Sequence, residues 1–130
     1  MLYHSTRNGT VTVDSAQAVL SGLAPDGGLY VPQHFPDFDA QKCLSLDTMG
    51  MAAMIIGALL PHIPDMDTLV HRAYTGKFQT AELTPTVDTG EFTVLELFRG
   101  PTSAFKDVAL CMLPQLLTAA KTLKGMKRIF

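Results

Sequence analysis

The chain has 130 residues, 47% hydrophobic and 17% charged, with ten Lys and Arg against twelve Asp and Glu for a formal net charge of −2. That is length for one ordinary domain with its own core, and a composition too apolar for disorder. Slight acidity without a basic stripe argues against a nucleic-acid module, and no apolar run is long enough to span a bilayer.

Taken in chain order, Leu2–Ser5 and Thr10–Val13 flank Arg7-Asn8-Gly9, which predicts a hairpin because Asn and Gly tolerate positive φ. Asp14 or Ser15 can then cap a helix through Ala16, Ala18, Val19 and Leu20 that stops near Gly22. Ala24-Pro25-Asp26-Gly27-Gly28 is turn chemistry delivering a short strand, Leu29–Val31, before Pro32. His34 to Asp39 reads as extended or looped chain. Asp47 or Thr48 caps the next helix, Met49 to Leu60, whose apolar residues surround the cylinder and predict burial on all sides. Pro64-Asp65 opens a third helix, Met66 to Tyr74, ended by Gly76.

Beyond Thr84-Pro85, Asp88-Thr89-Gly90-Glu91 reads as a turn between Thr86-Val87 and a strand Phe92–Phe98. Arg99-Gly100-Pro101-Thr102 leads tightly into the longest helical pattern, Ser103 to Lys124, with Thr102 or Ser103 as its cap. One apolar stripe holds Phe105, Ala109, Met112, Leu116 and Leu123, and a second holds Leu110, Leu113 and Leu117. Two such faces predict an interior helix of a layered α/β protein, kinked or locally broken at Pro114. Gly125 ends it, and Lys127–Phe130 reads as the first residues of a strand. The cations Lys121, Lys124, Lys127 and Arg128 suit a helix C-terminus.

Cys43 and Cys111 stand apart among apolar neighbours, as buried reduced thiols do. His4, His34, His62 and His71 lack ligand spacing, so no metal is expected, and no Gly-x-Ser-x-Gly elbow is present. The N-terminus has no apolar core of the kind a signal peptide needs, which favours a soluble cytoplasmic protein.

Three segments carry candidate chemistry. In Glu96-Leu97-Phe98-Arg99-Gly100-Pro101-Thr102-Ser103-Ala104-Phe105-Lys106-Asp107, Lys106 falls in the first turn of the long helix, ahead of Leu110, Leu113 and Leu117 on one face. A lysine buried there would lose ammonium solvation, which lowers its pKa and frees the neutral amine. The structural alternative is a snorkelling lysine paired with Asp107 or Glu96. The segment Gly22 to Pro32 reads as a turn that delivers a strand. Ser5-Thr6-Arg7, a hydroxyl pair beside a cation, reads as a solvated hairpin tip.

In this order and spacing, Tyr3-His4-Ser5-Thr6-Arg7, Gly22-Leu23-Ala24-Pro25-Asp26-Gly27-Gly28-Leu29-Tyr30-Val31-Pro32 and Glu96 to Asp107 resemble the threonine synthase family. These are pyridoxal 5'-phosphate (PLP) enzymes of the tryptophan-synthase-β type, fold type II. The resemblance implies a small N-terminal α/β domain, residues 1–84, followed by the first strand–helix unit of a PLP domain, residues 85–130. It implies that Lys106 holds PLP covalently, that Phe105 and Asp107 shape the cofactor pocket, and that Thr102 and Ser103 contact substrate. The implied reaction is a carbon–oxygen lyase step turning O-phospho-L-homoserine and water into L-threonine and phosphate. Asn8 stands where the family commonly has Gly, and Arg99 where it commonly has His.

The resemblance covers about the first third of a family member. The loop that grips the PLP phosphate is expected beyond Phe130, so this chain is expected to be an inactive fragment. Two other readings remain open: a threonine-synthase-like phospholyase acting on another phosphorylated amino compound, and a non-catalytic module that docks its last helix on a partner.

Overall fold

Hydrogen bonds from Thr10 N–H and its hydroxyl to Asn8 Oδ1 (3.0 and 2.7 Å) close the first hairpin. In the computed structural model, which describes residues 1–127, β1 (Leu2–Ser5) pairs antiparallel with β2 (Thr12–Asp14). It pairs on its other edge with β3 (Tyr30–Pro32), also antiparallel, so β1 is the middle strand. Tyr3 and Ser5, two apart, point to the buried face, and the Tyr3 hydroxyl donates to the Leu59 carbonyl.

Three helices share one start. Asp14, Asp39 and Asp47 each accept from the backbone N–H three residues on: Gln17 (2.8 Å), Lys42 (3.0 Å) and Gly50 (2.8 Å). They cap α1 (Ser15–Ser21), α2 (Ala40–Leu44) and α3 (Thr48–Leu59) and satisfy one otherwise orphaned donor apiece. Helix α4 (Met66–Tyr74) follows, then the hairpin β4 (Thr86–Asp88) and β5 (Thr93–Leu95), then α5 (Asp107–Leu123).

The core lies where α5 packs against both α1 and α4. Met66, Leu69, Val70, Ala73 and Tyr74 recur at helical spacing and are all buried, against Ala16 of α1 and Met112 and Ala120 of α5. The fully buried alanines Ala16 and Ala120 have side chains small enough for α1 and α5 to approach closely. Two polar ties flank this contact: the buried Ser15 hydroxyl accepts from His62 N–H (3.2 Å), and Lys124 Nζ meets Asp14 Oδ2 at 2.5 Å. Cys43 is buried and Cys111 half-buried, both as free thiols.

Several expectations need correction. Helix α3 buries none of its residues completely: it packs on α4 and α2, and the rest of its apolar circumference is half-exposed. Helix α5 buries one face, centred on Met112 and Ala120. Phe105, Leu110, Leu113 and Leu123 of the expected stripes are exposed. The helix continues through Pro114 without a break. It begins at Asp107, four residues later than expected, and neither Thr102 nor Ser103 caps it. The second strand of the β4–β5 hairpin, expected over Phe92–Phe98, spans Thr93–Leu95, and α2, five residues long, falls below the length at which periodicity can be read. Lys127 is a bend, and the rest of the strand expected there lies outside the described residues.

Candidate active site

The turn Gly100–Lys106 decides where the lysine goes. Ser103 takes a left-handed φ of 56°, its N–H donating to Gly100 O (3.1 Å), and Asp107 N–H donates to Ala104 O (3.0 Å). Asp107, only 3% exposed, turns its carboxylate back into this turn and accepts from Thr102 N–H (2.7 Å) and the Thr102 hydroxyl (2.6 Å). These bonds, the hydroxyl's first, hold the Asp107 carboxyl below the usual carboxylate range. A side chain at Gly100 would collide with Asp107, so only glycine lets the turn close.

Lys106 therefore occupies the N-cap position of α5 rather than its first turn, and it is exposed. Among the described residues the lysine is not buried, and it forms no ion pair with Asp107 or Glu96. Glu96 instead pairs with Arg99, 2.5 Å from Nη2, and Arg99 lies over the Phe98 ring at 5.0 Å.

Lys106 stands beside an open concavity of about 560 Å³, a volume within the range of small-ligand sites. Its walls are apolar: Ile56 of α3, Tyr74 of α4, and Val108, Met112 and Leu116 of α5, with Phe105 at the lip. Tyr74 fixes the α4–α5 side by donating its hydroxyl to Val108 O (2.9 Å). The sequence singled out Lys106 and Phe105 here and missed Ile56 and Tyr74. Tyr74 carried a signal, since a tyrosine on a buried stripe needs a partner for its hydroxyl.

Of the other predicted positions, Thr102 has committed its hydroxyl proton to Asp107, and Ser103 is exposed. Asp107 does not line the concavity. Among the described residues no group of His, Cys, Asp and Glu could hold a metal ion, and no helix is long and apolar enough to cross a membrane.

The first two sequence segments lock onto each other. Ser5 Oγ donates to Asp26 Oδ1 (2.7 Å), Arg7 Nη1 donates to Asp26 O (3.1 Å), and Thr6 exchanges bonds with Leu29. The Ser5 hydroxyl, and then Gly28 N–H (2.9 Å), hold Asp26 below the usual carboxylate range. The chain tip expected to be solvated is thus a clasp that shapes the sheet edge.

A family profile described as the threonine synthase N terminus matches residues 2–90. The chain is 38% identical over 123 residues to a threonine synthase from Saccharomyces cerevisiae, covering 84% of this chain and 24% of that protein. It is 35% identical over 139 aligned positions to one from Methylobacillus glycogenes, covering 96% and 29%. A crystal structure of PLP-bound threonine synthase from Brucella melitensis superimposes with a TM-score of 0.85 at 37% identity, covering 96% of this chain and 28% of that one. The chain spans about a quarter of the length of these relatives.

Proposed function

Because the chain belongs to the threonine synthase family, with its α/β fold and its dependence on pyridoxal 5'-phosphate, we propose that Lys106 is the lysine that carries the cofactor. The whole protein would convert O-phospho-L-homoserine and water to L-threonine and phosphate, a soluble biosynthetic reaction placed in the cytoplasm. The carrying observation is the position of Lys106 on a clamped turn, beside an apolar concavity walled by α3, α4 and α5.

The described residues fit part of PLP. The amine is accessible, and apolar side chains can pack against one side of a pyridine ring. When bound, PLP supplies an electron sink for bond cleavage beside the amino group. This chain's residues hold, orient and protect. Lys106 would hold the cofactor through Nζ, and the same amine, when free, would move a proton on the substrate. Phe105, 73% exposed and lining the concavity, would shield the cofactor ring from water. Ser103 offers its hydroxyl to substrate, and Thr102, its proton held by Asp107, contributes an acceptor. A doubly charged phosphate needs several converging donors, and Lys106 is the one cationic side chain on the concavity wall among the described residues. We therefore propose that residues 1–84 form a supporting domain, that residues 85–130 begin the cofactor domain, and that this chain alone does not turn over.

The test is a chimera in which all 130 residues replace the matching quarter of the Saccharomyces cerevisiae relative. It is expected to release phosphate from O-phospho-L-homoserine in preference to other phosphorylated amino compounds, while Lys106→Ala is inactive and the chain alone with PLP shows no turnover. An active Lys106→Ala chimera would refute the assignment of the lysine. Turnover by the chain alone would refute its incompetence, and preference for another phosphorylated amine would refute the substrate.

A further inference from the structure

Resting on the reading of Lys106 above, we propose that Asp107 is a positioning residue for that lysine: it clamps Thr102 from inside the turn and does not touch the cofactor. Both carboxylate oxygens are spent within the turn, Oδ2 on Thr102 N–H (2.7 Å) and Oδ1 on the Thr102 hydroxyl (2.6 Å). Asp107 is buried, and Gly100 packs where any side chain would strike it. Phe105, Lys106 and Val108 line the concavity and Asp107 does not, so Asp107 alone of this run turns back into the loop. The clamp holds Ser103 at its left-handed φ of 56°, a conformation that costs a non-glycine residue and persists only when its surroundings fix it. Anchored at Thr102, the turn sets where Lys106 leaves the backbone, and from there Lys106 lines the rim of the apolar concavity. Charge-assisted bonds at a buried acidic group suit this task better than neutral ones, because they are shorter and stronger.

The test joins two readouts. Amide hydrogen exchange on the whole 130-residue chain reads the turn, and borohydride trapping of PLP on the chimera at a fixed subsaturating concentration reads the lysine. Asp107→Ala is expected to speed exchange at Thr102 about tenfold, the equivalent of one lost charge-assisted hydrogen bond, with α4 amides within about twofold of wild type. Trapping on Lys106 falls in parallel, with Asp107→Asn and Thr102→Val between wild type and Asp107→Ala. Thr102 is exposed, so Thr102→Val keeps the test open if Asp107→Ala does not fold. A loosened turn with unchanged trapping would make Asp107 merely structural and overturn the proposal. Exchange rising equally in α4 and at Thr102 would overturn it as well. If wild type already traps PLP on a different lysine, the reading of Lys106 fails first, and that result is distinguishable because it needs no variant.

Discussion

Asp14 ties the start of α1 to a lysine 110 residues further along the chain, and its two oxygens do different work. Oδ1 caps α1 through Gln17 N–H at 2.8 Å, and Oδ2 pairs with Lys124 Nζ at the C-terminal end of α5 at 2.5 Å. Replacing an Asp cap by Ala costs about 1 kcal/mol, and an ion pair as open as this one, with both side chains 30% exposed, contributes about 0.5 kcal/mol. Asp14→Ala should therefore lose about 1.5 kcal/mol, which lowers the melting midpoint by about 5 °C in a domain of this size. Asp14→Asn keeps a good cap and loses the charge, so it should lose about 0.5 kcal/mol, and so should Lys124→Met. Urea unfolding of the three single variants and of the double variant carrying both Asp14→Asn and Lys124→Met measures this directly. Strict additivity in the double variant would show that the two charges do not interact. An Asp14→Asn loss as large as that of Asp14→Ala would show that the cap contributes nothing.

Three further outcomes follow from the same geometry. Val70 is fully buried between α4 and its neighbours, so Val70→Ala should cost about 2 kcal/mol in urea unfolding, whereas a loss under about 0.5 kcal/mol would misplace the core. A side chain at Gly28 would overlap Ser5 Oγ and break its bond to Asp26. Gly28→Ala should therefore cost about 2 kcal/mol, with part of the loss recovered in the Ser5→Ala background; full additivity would refute the clasp. Asp14, Asp26 and Asp107 are all held below the usual carboxylate range, by the Lys124 ammonium, the Ser5 hydroxyl and the Thr102 hydroxyl respectively. The unfolded chain then binds more protons, so stability is complete above about pH 5 and falls as pH drops through the lowered values. A urea midpoint that rises on acidification from about pH 5 to about pH 3 would contradict all three assignments.

Much of this was legible in the sequence because it is local. The Asp14 cap, Gly22 and the spacing Met66-Leu69-Val70-Ala73-Tyr74 each act within a few residues, and the structure has them as expected. At Asn8-Gly9 the hairpin forms, but neither residue takes a positive φ, and the Asn8 side chain closes it by accepting from Thr10. Helix α2 had a local signal too, the Asp39 cap, but its five residues give no period. What could not be read is long-range. Nothing around Ser5 announces Asp26, because the clasp depends on β1 and β3 pairing. Burial on α5 follows Ala16 and Tyr74, which select one of two apolar faces. The sequence placed Lys106 inside the helix because its apolar pattern starts early. The competing interaction was Asp107 bonding backward to Thr102, which starts the helix later and turns the lysine out.

The central claim is that Lys106 is the residue to which pyridoxal 5'-phosphate becomes attached. Reduction of the loaded chimera with borohydride, followed by peptide mass mapping, tests it most directly. One pyridoxyl group per chain on the peptide containing Phe105-Lys106-Asp107 is the expected result, and none when Lys106 is replaced by Ala. Stoichiometric label on any other lysine, with Lys106 unmodified, would contradict the account.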